Sequence, residues 1–238
     1  MRAPRARLAD VVRFSWVDGP GNRFVAFLQG CNFDCVACHN PQTIPLESVH
    51  AREVTVEELV AEVRACLPYV SGVTVSGGEA TLQADFVGAF FAALKADSEA
   101  AHLTTMIDSN GSADEATWRA LAPVTDGVMV DLKALDDRLH RRMTGQSNAP
   151  VLESIRLLHR LDLLHEVRLL LVPGLNDDDA TLEATAAWLL AVDPAIRVRL
   201  NRFLHHGVRA EARSWPEASA EDVGRWRGVL ENAGITTG

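Results

Sequence analysis

The chain has 238 residues, more than a typical single domain of roughly 100–200 residues, yet within the range of one α/β barrel. Hydrophobic residues at 47% and charged residues at 23% are globular proportions, which excludes disorder, collagen and coiled coil for the whole chain. Thirty-two acids against 23 bases leave a net charge of −9, a surface that repels polyphosphate, and no run of about 18 apolar residues offers a membrane span, so neither nucleic acid nor membrane is an expected partner.

The N-terminal stretch MRAPRARLADVVRF carries arginines but lacks the apolar core and cleavage site of a signal peptide, which predicts a cytoplasmic protein. Short apolar runs then alternate with amphipathic stretches. Strands are predicted at Phe24–Leu28, Val73–Val75, Thr104–Ile107, Val128–Asp131, Val167–Val172 and Arg197–Leu200. Thr55 with Glu58 forms a capping box ahead of Leu59, Val60, Val63 and Leu67 at helical spacing. Helical patterns recur at Phe86–Lys95, Asp114–Leu121, Asp136–Met143, Leu152–Leu161, Thr181–Val192 and Glu221–Asn232.

Strand and helix alternating six times predict an α/β fold with parallel strands and right-handed crossovers. An open doubly wound sheet and a partial barrel both fit that order. Glycine-rich or polar segments follow every strand: GCNFDCVACHN, SGGEAT, DSNG, DLK, VPGLNDDD and NRFLHHG. Six units converging on one rim favour a partial (β/α)6 TIM-type barrel with helices outside, in one domain of residues 1–238.

Cys31, Cys35 and Cys38 form C-x3-C-x2-C, followed directly by His39. Three readings are open. The first is a [4Fe–4S] cluster held by three thiolates, with one iron left for an outside ligand. The second is a closed Cys3His zinc site, although adjacent Cys38 and His39 reach one tetrahedral ion only with difficulty. The third is a c-type haem on CVACH, which needs an exported chain and leaves Cys31 unexplained. Cys66 sits near the end of the Thr55 helix, roughly 15 Å from the rim, and reads as a buried structural thiol.

C-x3-C-x2-C after one strand and SGGEA after the next resemble the radical S-adenosylmethionine superfamily. VDGPGNRFVAFLQGCNFDCVACHNP, DSNG, MVDLK and RLLLVPGLNDD, in that order, are similar to the glycyl-radical-enzyme activating enzymes of the pyruvate formate-lyase activase type. The resemblance runs from about Val11 to about Trp226. Pro41–Arg52 has no cysteine where many relatives carry a ferredoxin-like insertion, so a single cluster is predicted.

The resemblance implies a cluster on Cys31, Cys35 and Cys38, and S-adenosylmethionine as cosubstrate. It further implies reductive cleavage to a 5′-deoxyadenosyl radical that takes hydrogen from a glycine Cα of a partner glycyl radical enzyme. No separate catalytic acid, base or nucleophile is then expected. Cofactor contacts are implied at Ala37, His39, Gly77, Gly78, Glu79, Asp108, Asn110, Asp131 and Lys133, with Glu79 on the methionyl ammonium and Lys133 on its carboxylate. Leu204 holds the slot of a nucleoside-contacting histidine, and His206 or its neighbour His205 takes that role. Asp108, Ser109, the Met129 backbone and Asp131 match a monovalent-cation site, and Asp18 a contact to the incoming glycyl loop. A reduced flavodoxin or ferredoxin is the implied electron donor, and the protein is expected to be a monomer. A radical enzyme of the same core acting on a small molecule, and a zinc-stabilised module without catalysis, are the alternatives.

Overall fold

The structure, a computed structural model, describes residues 4–237. Its strands are β1 (Arg5–Ser15), β2 (Arg23–Leu28), β3 (Arg52–Thr55), β4 (Gly72–Gly77), β5 (Thr104–Ser109), β6 (Gly127–Leu132), β7 (Leu164–Leu171), β8 (Arg197–Arg202) and β9 (Thr236–Thr237). The helices are α1 (Val56–Arg64), α2 (Ala84–Ala96), α3 (Glu115–Leu121), α4 (Asp137–Thr144), α5 (Ala149–Arg160), α6 (Asp179–Val192) and α7 (Ala220–Asn232). The six predicted runs are β2, β4, β5, β6, β7 and β8. Among the described residues no helix is long and apolar enough to cross a membrane.

The chain falls into two compact units, one of Met1–Asn32, Gln42–Ser109 and Ala113–Met129, the other of Phe33–Pro41, Asn110–Ser112 and Val130–Gly238. Strand order in the first is β3-β1-β2-β4-β5-β6, and in the second β6-β7-β8-β9, with β6 divided after Met129. β2, β4 and β5 pair in parallel, as do β7, β8 and β9. β1 is antiparallel to both β2 and β3. Parallel neighbours require a crossover, and each helix between them supplies it.

Helix starts are fixed by side-chain caps. Thr55, Asp114, Asp136, Asp178 and Ser219 each accept a hydrogen bond from an amide in the first turn. At Thr55 the box is reciprocal: Glu58 N donates to Thr55 Oγ1 at 3.2 Å, and Thr55 N donates to Glu58 Oε2 at 2.8 Å. The acidic run of residues 177–179 divides. Asp178 caps α6, whereas Asp177 turns inward and accepts from Arg225 Nη2 at 2.6 Å and Trp226 Nε1 at 3.2 Å.

In the first unit, α2 buries Phe86, Phe90, Phe91 and Leu94. There, too, lies Arg23, the first residue of β2, with its guanidinium wholly buried. It donates to Thr74 Oγ1 at 2.6 Å, Val73 O at 2.7 Å, Thr104 Oγ1 at 2.9 Å, Thr104 O at 3.0 Å and Pro20 O at 3.1 Å. All five acceptors are neutral. Burial pushes Arg23 down to about 10, against the opposing pull of Asp126 and Asp18, which leaves it charged at neutral pH. The second unit has its own core of Ala37, Met143, Leu170, Val172, Phe203 and Val208.

Replacing Thr55 by Ala is expected to cost about 1 kcal/mol through loss of the box. Arg23→Met should cost more, about 2–4 kcal/mol, because it strands carbonyls of three segments without donors. Urea unfolding of the two variants, followed by far-ultraviolet circular dichroism, checks both values and their order.

Candidate active site

In the first unit, the exit of β4 is stitched to the segment leaving β2. Gly78 N donates to Leu28 O at 2.9 Å, and Glu79 N donates to Gly30 O at 2.8 Å. Gly30 N and Cys31 N in turn donate to Thr43 O at 2.8 Å and Ile44 O at 3.0 Å. A Cβ on Gly77 would stand 2.2 Å from Leu28 N and O, and one on Gly78 would stand 2.2 Å from Gly30 O. Only glycine allows that approach. At this pair, expected to admit a ligand, the structure brings the chain's own backbone close, beside Cys31.

Glu79 is 1% exposed, and its Oε1 accepts from Thr81 Oγ1 at 2.6 Å, Ser109 Oγ at 2.8 Å and Thr81 N at 3.0 Å. Ser76 Oγ donates to Asp108 Oδ2 at 3.1 Å. The ends of β4 and β5 therefore bring Glu79, Asp108 and Ser109 into one polar group, while Met129 is fully buried on β6. Asp18 lies elsewhere, before β2, where its carboxylate takes the Ser15 hydroxyl and its carbonyl accepts from Thr74 Oγ1 at 2.6 Å in mid-strand.

In the second unit, residues 33–40 form an irregular loop with a turn closed by Cys38 N donating to Cys35 O at 3.2 Å. The C-terminal turn of α4 accepts two of its amides, Asp34 N on Thr144 O at 3.0 Å and Val36 N on Met143 O at 2.9 Å. Phe33 packs edge-on to the His140 ring at 5.8 Å, and Ala37 is buried in the core. His39 Nε2 lies 3.2 Å from Leu204 O, and the ring stacks over Phe203 at 6.4 Å. Burial pushes His39 below the usual imidazole range; the Leu204 carbonyl opposes this, and Lys133 and His206 reinforce it. His205 is engaged by Trp215 O at 2.8 Å, whereas His206 is exposed.

Lys133 Nζ, at the exit of β6, donates to Asp131 Oδ2 at 2.8 Å, with the two side chains 16% and 28% exposed. Burial works against its charge, but Asp131, Cys35 and Cys38 outweigh it and hold the ammonium well above its ordinary range. Burial pushes the Cys38 thiol up, while Lys133 and Arg209 pull it back. Asn110 Oδ1 accepts from Ser112 N at 2.9 Å, a local turn.

Three residues absent from the sequence expectations support this unit. Asn176 Nδ2 donates to Leu170 O at 2.8 Å and Lys133 O at 3.0 Å, and its Oδ1 accepts from Val172 N at 2.8 Å, so it ties β7 to the chain leaving β6. His140 is fully buried, with Nδ1 at 2.8 Å from Gln146 O. Arg209 reaches Asp34 and Cys35. Asn176 lies in the quoted VPGLNDDD segment and carried some signal; the others are joined to their partners only by the fold.

Among the described residues no three His, Cys, Asp or Glu side chains lie gathered as a set of metal ligands. The chemistry of the donors nevertheless suits an iron–sulfur cluster. Cys31, Cys35 and Cys38 are partly exposed and form no disulfide, which leaves three sulfurs free to ligate. Cys66, by contrast, is 1% exposed, in agreement with a structural thiol.

The family profile described as the radical SAM superfamily matches residues 25–186. The pyruvate formate-lyase 1-activating enzyme of Escherichia coli is 41% identical over 169 residues, 68% of this chain and 66% of that protein, just under two thirds of its length. The pyruvate formate-lyase-activating enzyme of Staphylococcus aureus is 36% identical over 195 residues, 79% of this chain and 77% of that protein. Among solved structures, a radical SAM methyltransferase from Sphaerobacter thermophilus superposes with a TM-score of 0.71 at 18% identity, covering 98% of this chain and 76% of that one, which shows the shared fold. By profile and by relatives alike, the chain belongs to the radical SAM superfamily and, within it, to the family of the pyruvate formate-lyase-activating enzymes.

Proposed function

We propose that this chain is the activating enzyme of a glycyl radical enzyme, working as a monomer and a single domain of residues 1–238 in an anaerobic cytoplasm. Membership of the superfamily implies a [4Fe–4S] cluster and S-adenosylmethionine. The observation that carries the reading is Lys133, a mostly buried ammonium whose Nζ donates to Asp131 Oδ2 at 2.8 Å. Such a cation at a strand exit suits an anionic ligand. The named relatives support a partner of the pyruvate formate-lyase class as protein substrate.

When bound, the reduced cluster supplies the electron that breaks the sulfonium C–S bond of S-adenosylmethionine, and the resulting 5′-deoxyadenosyl radical takes hydrogen from a glycine Cα of the partner. The chain binds, orients and excludes water. Cys31, Cys35 and Cys38 supply three thiolates, one fewer than the cube accepts, which leaves a place for the cosubstrate. Lys133 pairs with the methionyl carboxylate, and Glu79 accepts from the ammonium, with Gly77 and Gly78 admitting it to the backbone. Ala37 and His39 border the ligand beside Cys38, His206 meets the nucleoside, and Asp108 and Asn110 line the exit of β5. Asp108, Ser109, the Met129 carbonyl and Asp131 offer oxygens to a monovalent cation. Asp18 meets the incoming glycyl loop, and a reduced flavodoxin or ferredoxin delivers the electron.

Anaerobic reconstitution with iron and sulfide should give a reducible [4Fe–4S] paramagnetic signal that changes when S-adenosylmethionine is added, and 5′-deoxyadenosine should form. Protein that stays colourless, or that holds one tight zinc instead, refutes the reading. Cys38→Ser should abolish that signal. Lys133→Met should keep the cluster but weaken S-adenosylmethionine binding by roughly tenfold or more, the loss of one charge-assisted hydrogen bond, read from titration of the spectral change.

A further inference from the structure

We infer that Arg209 is a positioning residue for the cluster: its guanidinium fixes the backbone of Asp34 and Cys35 and places a positive charge beside Cys35. The inference rests on the proposed function, because it assigns a role toward the cluster that reading implies. Arg209 follows β8 and opens a short helical turn at Ala210–Ser214. Its Nη2 donates to Cys35 O at 2.8 Å and Asp34 O at 3.1 Å, and its Nη1 donates to Asp34 Oδ1 at 2.8 Å.

The division of labour along the loop is complete at this point. α4 accepts the amides of Asp34 and Val36, and Arg209 donates to the carbonyls of Asp34 and Cys35. No lysine can serve three acceptors in that fixed fork. Arg209 Nε is buried with no acceptor among the described residues, an unfavourable state for a donor. A guanidinium placed for its own hydrogen bonding would turn that N–H toward water; here the loop dictates its position.

The charge has a direction. The Asp34 side chain is 68% exposed, so water screens its carboxylate, whereas that of Arg209 is 30% exposed. The positive end is therefore felt on the cysteine side, where Nη2 lies 2.8 Å from Cys35 O. Fixed positive charge beside a cluster favours the reduced, more negative form.

Three variants of the full chain, reconstituted without oxygen, separate geometry from charge. Iron and sulfide retained after desalting report the first, and the midpoint potential by paramagnetic titration reports the second. Arg209→Gln should lose cluster faster and should lower the reduced-to-oxidised ratio at fixed potential about tenfold, which is about 59 mV for one electron. Arg209→Lys should restore the potential but not the retention. Asp34→Asn keeps the guanidinium and both carbonyl bonds, so its retention should be unchanged, and because water screens the carboxylate its potential should rise by less than it falls in Arg209→Gln. Wild-type retention and potential in both Arg209 variants, or a fall in potential for Asp34→Asn, overturns the inference. Should the Arg209 variants fail to fold, Asp34→Asn alone decides the charge effect. A wild-type chain that takes up no cluster defeats the proposed function instead.

Discussion

A segment without regular structure has to find partners elsewhere for every peptide N–H and C=O that it takes out of water, and the cysteine segment of this protein is such a segment. Near Cys31 the partners are the carbonyls of Thr43 and Ile44, with Glu79 N closing on Gly30 O. Around Cys35 they are the last carbonyls of α4 and the guanidinium of Arg209. Helices ordinarily leave their final carbonyls to water or to a capping glycine; α4 ends on Gly145 and still gives Met143 O and Thr144 O to the loop. The backbone around Cys31 and Cys35 is thus held by main-chain bonds and, at Cys35, by one guanidinium.

Two ways of keeping a cation inside are visible in one molecule. Arg23 spreads its charge over five neutral oxygens and ties β2, β4, β5 and the Pro20 turn together. Lys133 is compensated by one carboxylate, that of Asp131 at 2.8 Å. The first arrangement is complete within the protein and serves structure. The second leaves an ammonium beside a single carboxylate, an arrangement suited to accepting a further charged group.

Periodicity made most of the framework legible. Strands β2, β4, β5, β6, β7 and β8 each lie on an apolar run, and the Thr55 box is formed as its residues predict. β1 escaped because its regular alternation of exposed and buried residues holds only over Arg5–Leu8, and register shifts between Leu8 and Asp10 and between Val12 and Ser15 break it beyond. β3 has four residues and gains its identity only by pairing with β1. Asp177 lies directly before the cap of α6, yet its partners Arg225 and Trp226 lie 48 and 49 residues away. Motifs located Glu79 at the exit of β4 but not the three donors already on its Oε1, since those arise from the turn of Thr81 and the end of β5.

The hydrogen bond from Arg209 to Cys35 O joins residues 174 positions apart. At ribosomal speeds of about 5–20 residues per second, the thiols emerge on the order of ten to thirty seconds before that anchor is made. The nascent cysteines meet the cell while the segment between them still lacks its fixed shape. The segment around Cys35 therefore takes its final shape only once most of the chain has been made.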